Sequence, residues 1–374
     1  MRRLADRLLV AAFVAILVTP PLANLAGADG ADPEAENRTQ AAFPAAPTTW
    51  ASAKAFLPGL DAWFTDHFAF RSDLVRWHGM SRYFGLGMSS TPVVATAPGG
   101  WLFYVDDGGL EDFTNASLLS DHGIDLWRAA IVRAKRWCDA RGVAYFFMVA
   151  PDKPVIYPER FPQTARRVSR VSRLDQIYTA ISDTGAGIDV RQALFAEKRK
   201  ARLFQKTDTH WNARGAYIAY AAVVEALRAR VPAIPPPWPL SDFDPVVDHE
   251  VAMDLAGMMG LKRVLGEENL VLVPKRPRHH VVKEPAGNIV EAGEGRIVTE
   301  IPGSTLPRAV VFRDSFMSAM APFLSEHFSR VVYLWQNDFS AEDVERERAD
   351  VVLQEMVSRH VQWFVPSPEL IPDP

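Results

Sequence analysis

The feature that most constrains the fold is a set of short, uninterrupted apolar runs recurring between helical stretches. Val143 to Val149 is one, stopping at Pro151. A strand with no polar face must be buried on both sides, as parallel strands covered by helices are. Ala309 to Phe312, Val331 to Trp335 and residues 351–354 read the same way, and Ile188 to Val190 reads as a shorter strand. Between them, His122 to Arg141 reads as a helix ended by Gly142, the residue favoured just past a helix C-cap. Further helices are expected over 169–183, 213–230, 341–348, from Ser315 to Phe328, and from Met356 onwards. The alternation predicts an α/β fold with a doubly wound, mostly parallel sheet. Trp101 to Tyr104 reads as a strand entered from the turn Pro98-Gly99-Gly100. Leu60 to Tyr83 reads as two short helices, and no internal repeat is visible. From about 231 to 307, Pro235-Pro236-Pro237, Pro239 and short β-like runs predict a β-rich or irregular insertion.

The first 28 residues set the compartment. Arg2, Arg3 and Arg7 precede an uninterrupted apolar run from Leu8 to Val18, Pro20-Pro21 is expected to break the helix, and Ala26-Gly27-Ala28 offers small residues for cleavage. That is the anatomy of a secretory signal. The run is shorter than the roughly 20 residues of a full span, yet an uncleaved anchor extending towards Leu25 is the other reading. Either way the protein is expected to be exported to the periplasm, anchored in the inner membrane if the signal is kept. Residues 29–55, rich in Ala, Pro and acids, read as a linker, and 56–374 as the main folded domain with its insertion.

Composition removes several function classes. The chain has 374 residues, 48% of them hydrophobic and 23% charged, as globular proteins do. Its 41 basic and 45 acidic residues leave a formal charge of −4, so no basic field exists to attract nucleic acid. The single cysteine, Cys138, excludes an intrachain disulfide and cysteine-based zinc or redox motifs.

Two places carry chemistry. In Thr207-Asp208-Thr209-His210-Trp211-Asn212, residues two apart in an extended segment project to one side. Asp208 could there orient the imidazole of His210, with Asn212 as the N-cap of the next helix. The plain alternative is a surface Asp–His pair beside a cap. In Phe312-Arg313-Asp314-Ser315-Phe316, a strand meets a helix at a tight turn. Such a turn displays the serine at the carboxyl edge of the sheet, beside amides able to hold an oxyanion. The plain alternative is again capping, by Asp314 or Ser315. Together the segments supply the set for acyl transfer: a serine nucleophile, a histidine base and an aspartate partner.

These segments resemble the AlgJ/AlgX family of exported polysaccharide O-acetyltransferases, whose catalytic domain is SGNH-hydrolase-like. Asp208-Thr209-His210-Trp211 is the most specific mark. In order along the chain come Glu36-Asn37-Arg38, Asp66-His67-Phe68 with Arg71, Gly100-Trp101-Leu102-Phe103-Tyr104, Pro151-Asp152-Lys153 with Tyr157-Pro158, Asp314-Ser315-Phe316, and Asp350 to Glu355. The resemblance implies Ser315 as nucleophile, His210 as base and Asp208 as its partner. It also implies an exopolysaccharide acceptor and a membrane-bound O-acyltransferase that supplies acetyl. AlgX-type members carry an extra carbohydrate-binding module, and this chain looks closer to the AlgJ type. One departure is Arg313, where the usual hydrolase block Gly-Asp-Ser has glycine; it could place a cation near an anionic sugar or an oxyanion, or merely pair with a carboxylate.

Lesser candidates are Lys153, at the end of a strand, for substrate contact; Trp211, as a wall beside His210; and Asn337, as an oxyanion donor. His67 reads as a packing residue, His279-His280 has no partner at metal spacing, and Arg166, Arg167, Arg170 and Arg173 read as a solvated helix face. No metal or organic cofactor is indicated. The expected function is O-acetylation of a bacterial exopolysaccharide. The alternatives are an acetylesterase with the same triad, and a non-catalytic polysaccharide-binding scaffold.

Overall fold

The computed structural model describes residues 2–28, 40–251, 253–284 and 295–373. Among them are eleven strands: β1 (Val94–Ala97), β2 (Trp101–Tyr104), β3 (Ala144–Ala150), β4 (Gly187–Ile188), β5 (Phe243–Val251), β6 (Glu267–Pro274), β7 (Val281–Glu284), β8 (Ile297–Glu300), β9 (Arg308–Arg313), β10 (Arg330–Trp335) and β11 (Val351–Val357). Contacts divide the chain into two units, Met1–Thr96 with Ala252–Gly266, and Ala97–Val251 with Glu267–Pro374.

The second unit is built on a seven-stranded sheet in the order β4-β3-β11-β9-β10-β8-β7. From β4 to β10 neighbours are parallel; β8 and β7 add on antiparallel. The apolar runs become its central strands, and every residue of β11 is buried. Alternate side chains serve the two faces. Tyr145, Phe147, Val149, Val310, Phe312 and Val352 pack in one cluster with Trp127, Ile131 and Trp137 of the helix Asp121–Asp139. On the helix Ala213–Arg230, Tyr220 stacks on Phe323 of the helix Phe316–Leu324. The mostly parallel, helix-covered sheet is the predicted α/β class.

Because β3, β9, β10 and β11 are parallel, their carboxyl ends share one edge. That edge gathers Pro151-Asp152-Lys153, Asp314-Ser315, Asn337 and Ser358-Arg359, the segments that follow these strands. Such an edge, where connections diverge, is where open α/β sheets bind ligands.

Several elements differ from expectation. The helix awaited from Met356 is absent: β11 runs to Val357, and residues Ser358–Gln362 make a 3-10 turn. The reason is tertiary, since Asp152 accepts from the Ser358 hydroxyl and the Arg359 amide and holds the chain in that turn. Within 231–307, β5 and β6 form an antiparallel pair, and β7 and β8 join the central sheet. The sheet thus resumes well before Arg308; β7 is largely exposed and polar, so it lacks the apolar-run signal.

The first unit holds the helices Arg2–Leu25, Trp50–His67 and Arg71–Met80, with a π-helical turn at Ser81–Gly85. Contrary to expectation, Pro20 and Pro21 do not stop the first helix. Proline's fixed φ is compatible with a helix, and each ring removes one amide bond to the preceding turn. The second helix begins inside the expected linker because Thr49 and Ser52 form a capping box. The remainder of that linker through residue 39, with Glu36-Asn37-Arg38, lies outside the described residues.

Candidate active site

Ser315 stands on the turn between β9 and the helix Phe316–Leu324. The capping work there is done by Asp314. Its Oδ1 accepts from Phe316 N at 2.9 Å, and its Oδ2 accepts from Val357 N at 2.6 Å, pinning the turn to the end of β11. Ser315 makes no side-chain cap, and its Oγ lies 2.8 Å from His210 Nε2.

Asp208 and His210 occupy a bent loop rather than the extended segment expected. The loop is closed at its base by a bridge between Phe204 and Trp211 and by Asn212 N donating to Leu203 O at 2.9 Å. Asp208 Oδ1 accepts from His210 N at 2.8 Å and lies 2.7 Å from His210 Nδ1. The two residues therefore meet through a local side-chain-to-backbone turn. A carboxylate can only accept, so Nδ1 carries the proton and Nε2 turns its lone pair to the Ser315 hydroxyl. The Asp208 and His210 side chains are 17% and 30% exposed. Burial works to raise the Asp208 pKa, but the neighbouring imidazole, its hydrogen bonds and Lys153 outweigh it and hold the carboxyl at about 2. Asn212 caps the following helix through Gly215 N, as predicted.

Three side chains brace this loop. Lys153 is buried, and its Nζ donates to the carbonyls of Gln205, Lys206 and Asp208 at 3.0, 3.0 and 2.5 Å. It is neither the substrate contact expected nor a solvated lysine: an ammonium's three protons match three loop carbonyls. Glu267, on β6, accepts from the amides of Lys206 and Thr207 and from the Thr207 hydroxyl at 2.6–2.9 Å. Burial would raise its pKa, but these bonds and Arg202 keep it low. Trp211 is buried too; its indole N–H donates to Phe316 O at 3.1 Å. It ties the histidine loop to the serine helix, and the ring beside the imidazole is Phe316, at 5.0 Å between centroids.

The remaining candidates lie elsewhere. Arg313 is fully buried, donates to Asp314 O, Ser318 Oγ and Gly295 O, and lies 4.7 Å over the Trp335 ring. It is therefore a buried strut and not a surface cation for a sugar. Asn337 follows β10, where its carbonyl accepts from Gln354 Nε2, and Gln354 Oε1 in turn accepts from Tyr145. Arg173 is buried and donates to Ser117 O and Gln362, whereas Arg166, Arg167 and Arg170 are exposed but lie in the loop before the helix Arg173–Ala180 rather than on the helix face expected. His67 stacks on Trp63, a packing role, and His279 and His280 pair with buried Glu326.

Sequence reasoning missed Glu267, which sits in the segment read as insertion and carries no local signal. It also missed the division of labour in Asp152-Lys153. Lys153 holds the histidine loop, while Asp152 holds Arg359 Nη1 at 2.5 Å after β11. Glu355 is wholly buried beneath the serine turn and accepts from Asp314 N at 3.1 Å. Burial, then the charge of Asp314, push its pKa well up.

Residues 94–285, just over half the chain, match the family described as SGNH hydrolase-like domain, acetyltransferase AlgX. That span contains Asp208 and His210 and ends before Ser315. Among solved structures, a DHHW family protein from Eubacterium siraeum DSM 15702 superposes with a TM-score of 0.51 at 17% identity, covering 66% of this chain and 88% of that one. PatB1 of Bacillus cereus, with a sulfonyl adduct, superposes with a TM-score of 0.55 at 15% identity, covering 73% of this chain and 96% of that one. At such identities the likeness establishes the fold alone. No curated protein matches in sequence. The fold, the site-bearing loop and the matched span lead to one family: this chain belongs to the AlgX family of SGNH hydrolase-like acetyltransferase domains.

Proposed function

We propose that the protein is an exported O-acetyltransferase that moves acetyl through Ser315 onto hydroxyls of a bacterial exopolysaccharide. The observation that carries this reading is the line Asp208–His210–Ser315, with contacts of 2.7 and 2.8 Å. Ser315 Oγ attacks the acetyl carbonyl carbon while His210 Nε2 takes its proton and passes it to the donor's leaving group. A sugar hydroxyl then enters, His210 removes its proton, and the sugar oxygen attacks the acetyl-serine. Ser315 leaves and recovers the proton from His210. Asp208 fixes the tautomer and stabilises the imidazolium in both halves.

Family membership supports the acetyl group as cargo. A membrane-bound O-acyltransferase is the proposed acetyl supplier. The apolar helix supports a periplasmic site of action: its stretch Arg3–Asn24 is long and apolar enough to cross a membrane, with a mean hydropathy of 1.7. We place it as an anchor in the inner membrane.

The test is a chromogenic acetyl ester supplied with and without candidate polysaccharides, following chromophore release and acetyl on the polymer. Release that needs Ser315 and His210, with acetyl appearing on the sugar, is the expected result. Release that yields only acetate across the polymers would assign an esterase. Equal activity in wild type, Ser315→Ala and His210→Ala would remove the catalytic reading.

A further inference from the structure

We propose that the helices Trp50–His67 and Arg71–Met80 lie on the surface of the bilayer that the N-terminal helix crosses, with an apolar stripe in the headgroup layer. This rests on reading that helix as a retained anchor.

Residues 3–19 of the first helix are all exposed. The 22 helical residues of the candidate span Arg3–Asn24 rise about 33 Å, close to the roughly 30 Å of a hydrocarbon core. Burial begins over the last turns of this helix, although Pro21 and Leu22 stay exposed. Pro20 is buried, and Ala23 and Asn24 are half-buried. The Asn24 side chain then donates to His67 O and accepts from Ala69 N at 2.6 Å. Those two groups are the junction between the second and third helices. The clamp fixes that junction where the exposed apolar helix stops, which is where a spanned bilayer must stop as well. The headgroup layer is about 5–7 Å deep on each side, and a helix is about 10 Å across. A helix pair pinned at this point is within reach of the layer.

The pair carries the side chains such a layer takes. Trp50, Leu57 and Phe64 recur at seven-residue intervals on the second helix, and Leu74 and Trp77 on the third, with Phe84 in the turn after it, are likewise apolar and exposed. Each of the six is 45–78% exposed. Phe70, at the clamped junction itself, is held at φ 67° and is also exposed. A left-handed backbone is costly for a bulky residue. Lys54, whose ammonium lies 5.7 Å from the Trp50 ring, and Arg76, paired with Asp73, border the stripe, and the exposed Asp61 sits within it. Tryptophan with basic neighbours on a narrow apolar helix face is the composition of an interfacial helix. Six large apolar side chains left bare in water would instead be an association liability.

The test uses the full chain reconstituted in vesicles of phosphatidylethanolamine and phosphatidylglycerol. On a Cys138→Ser background, single nitroxide labels go on Leu57→Cys, Leu74→Cys and Trp77→Cys. Leu9→Cys serves as the in-bilayer reference and Asp121→Cys as the water reference. Collision rates with oxygen and with a water-soluble nickel chelate are read at each site. The expected result is a several-fold drop in nickel collisions at the three stripe sites relative to Asp121→Cys, with raised oxygen collisions. Stripe sites matching Asp121→Cys while Leu9→Cys stays shielded would overturn the proposal and hand this face to a protein partner. A water-accessible Leu9→Cys, or N-terminal sequencing that finds the helix removed, would overturn the anchor and the proposal with it.

Discussion

The 2.8 Å contact between Ser315 Oγ and His210 Nε2 is useful only while the imidazole is neutral at Nε2. Replacing either residue by alanine should lower ester cleavage on the order of 10³-fold or more with the fold intact by circular dichroism. The acid limb of the pH–rate profile follows from the same contact. As pH falls, the imidazole gains a proton and can no longer act as base, so activity drops with the slope of one proton. Asp208, held at about 2, stays ionised through that range and adds no second step. A two-proton slope would contradict this assignment. Lys153 acts one step removed. Lys153→Met leaves one buried and two part-buried loop carbonyls without their donor, a loss of about 2–4 kcal/mol. Denaturant unfolding should register that loss, and turnover should fall more than substrate affinity. Unchanged stability would mean that the loop holds itself.

The loop 203–212, the turn 313–316 and the 358–362 turn come from distant parts of the chain and meet at one sheet edge. Their meeting depends on close contacts between elements. Gly215, in the first turn of the helix Ala213–Arg230, shows how close. A Cβ there would stand 2.2 Å from Leu203 O and 2.9 Å from Trp211 Cβ. Gly215→Ala must push that helix away from the base of the histidine loop. The expected cost is about 1–3 kcal/mol, seen as a lower melting temperature together with reduced ester cleavage. Activity at the wild-type level would show that the loop follows the helix without losing its geometry. At this scale, element types were legible: the runs at Val143–Val149, Ala309–Phe312, Val331–Trp335 and 351–354 announce strands because no polar face interrupts them. The turn after β11 was not legible, since Asp152, some two hundred residues earlier, imposes it.

For the molecule as a whole, Glu355 links the site to global stability. Buried beside Asp314, its raised pKa keeps a proton in the folded state. An unfolded glutamate releases that proton near pH 4.3. Above that value the unfolded chain binds fewer protons than the folded one, so stability falls with rising pH until the folded carboxyl also ionises. Glu355→Gln keeps the shape without the ionisation. Its stability relative to wild type should therefore rise with pH over that window in denaturant titrations. Parallel curves would mean that Glu355 is already ionised in the fold. The buried thiol of Cys138, pushed up to about 12 by burial, takes no part in such chemistry.

What the sequence determined by itself was the run of central strands and covering helices and the reactive types. Apolar runs without a polar face must be buried, and Asp-x-His and Asp-Ser carry their chemistry in local spacing. What it could not determine was which polar residues serve the site and which serve the frame. Trp211 and Arg313 were candidates because each lies next to a reactive segment in sequence, and Lys153 because it follows a strand at the sheet edge. The tertiary structure turns all three inward, since a buried donor must find an acceptor and the acceptors here are carbonyls of other segments. Only folding brings those segments together, and it alone sets Glu267 and Asp152 against them.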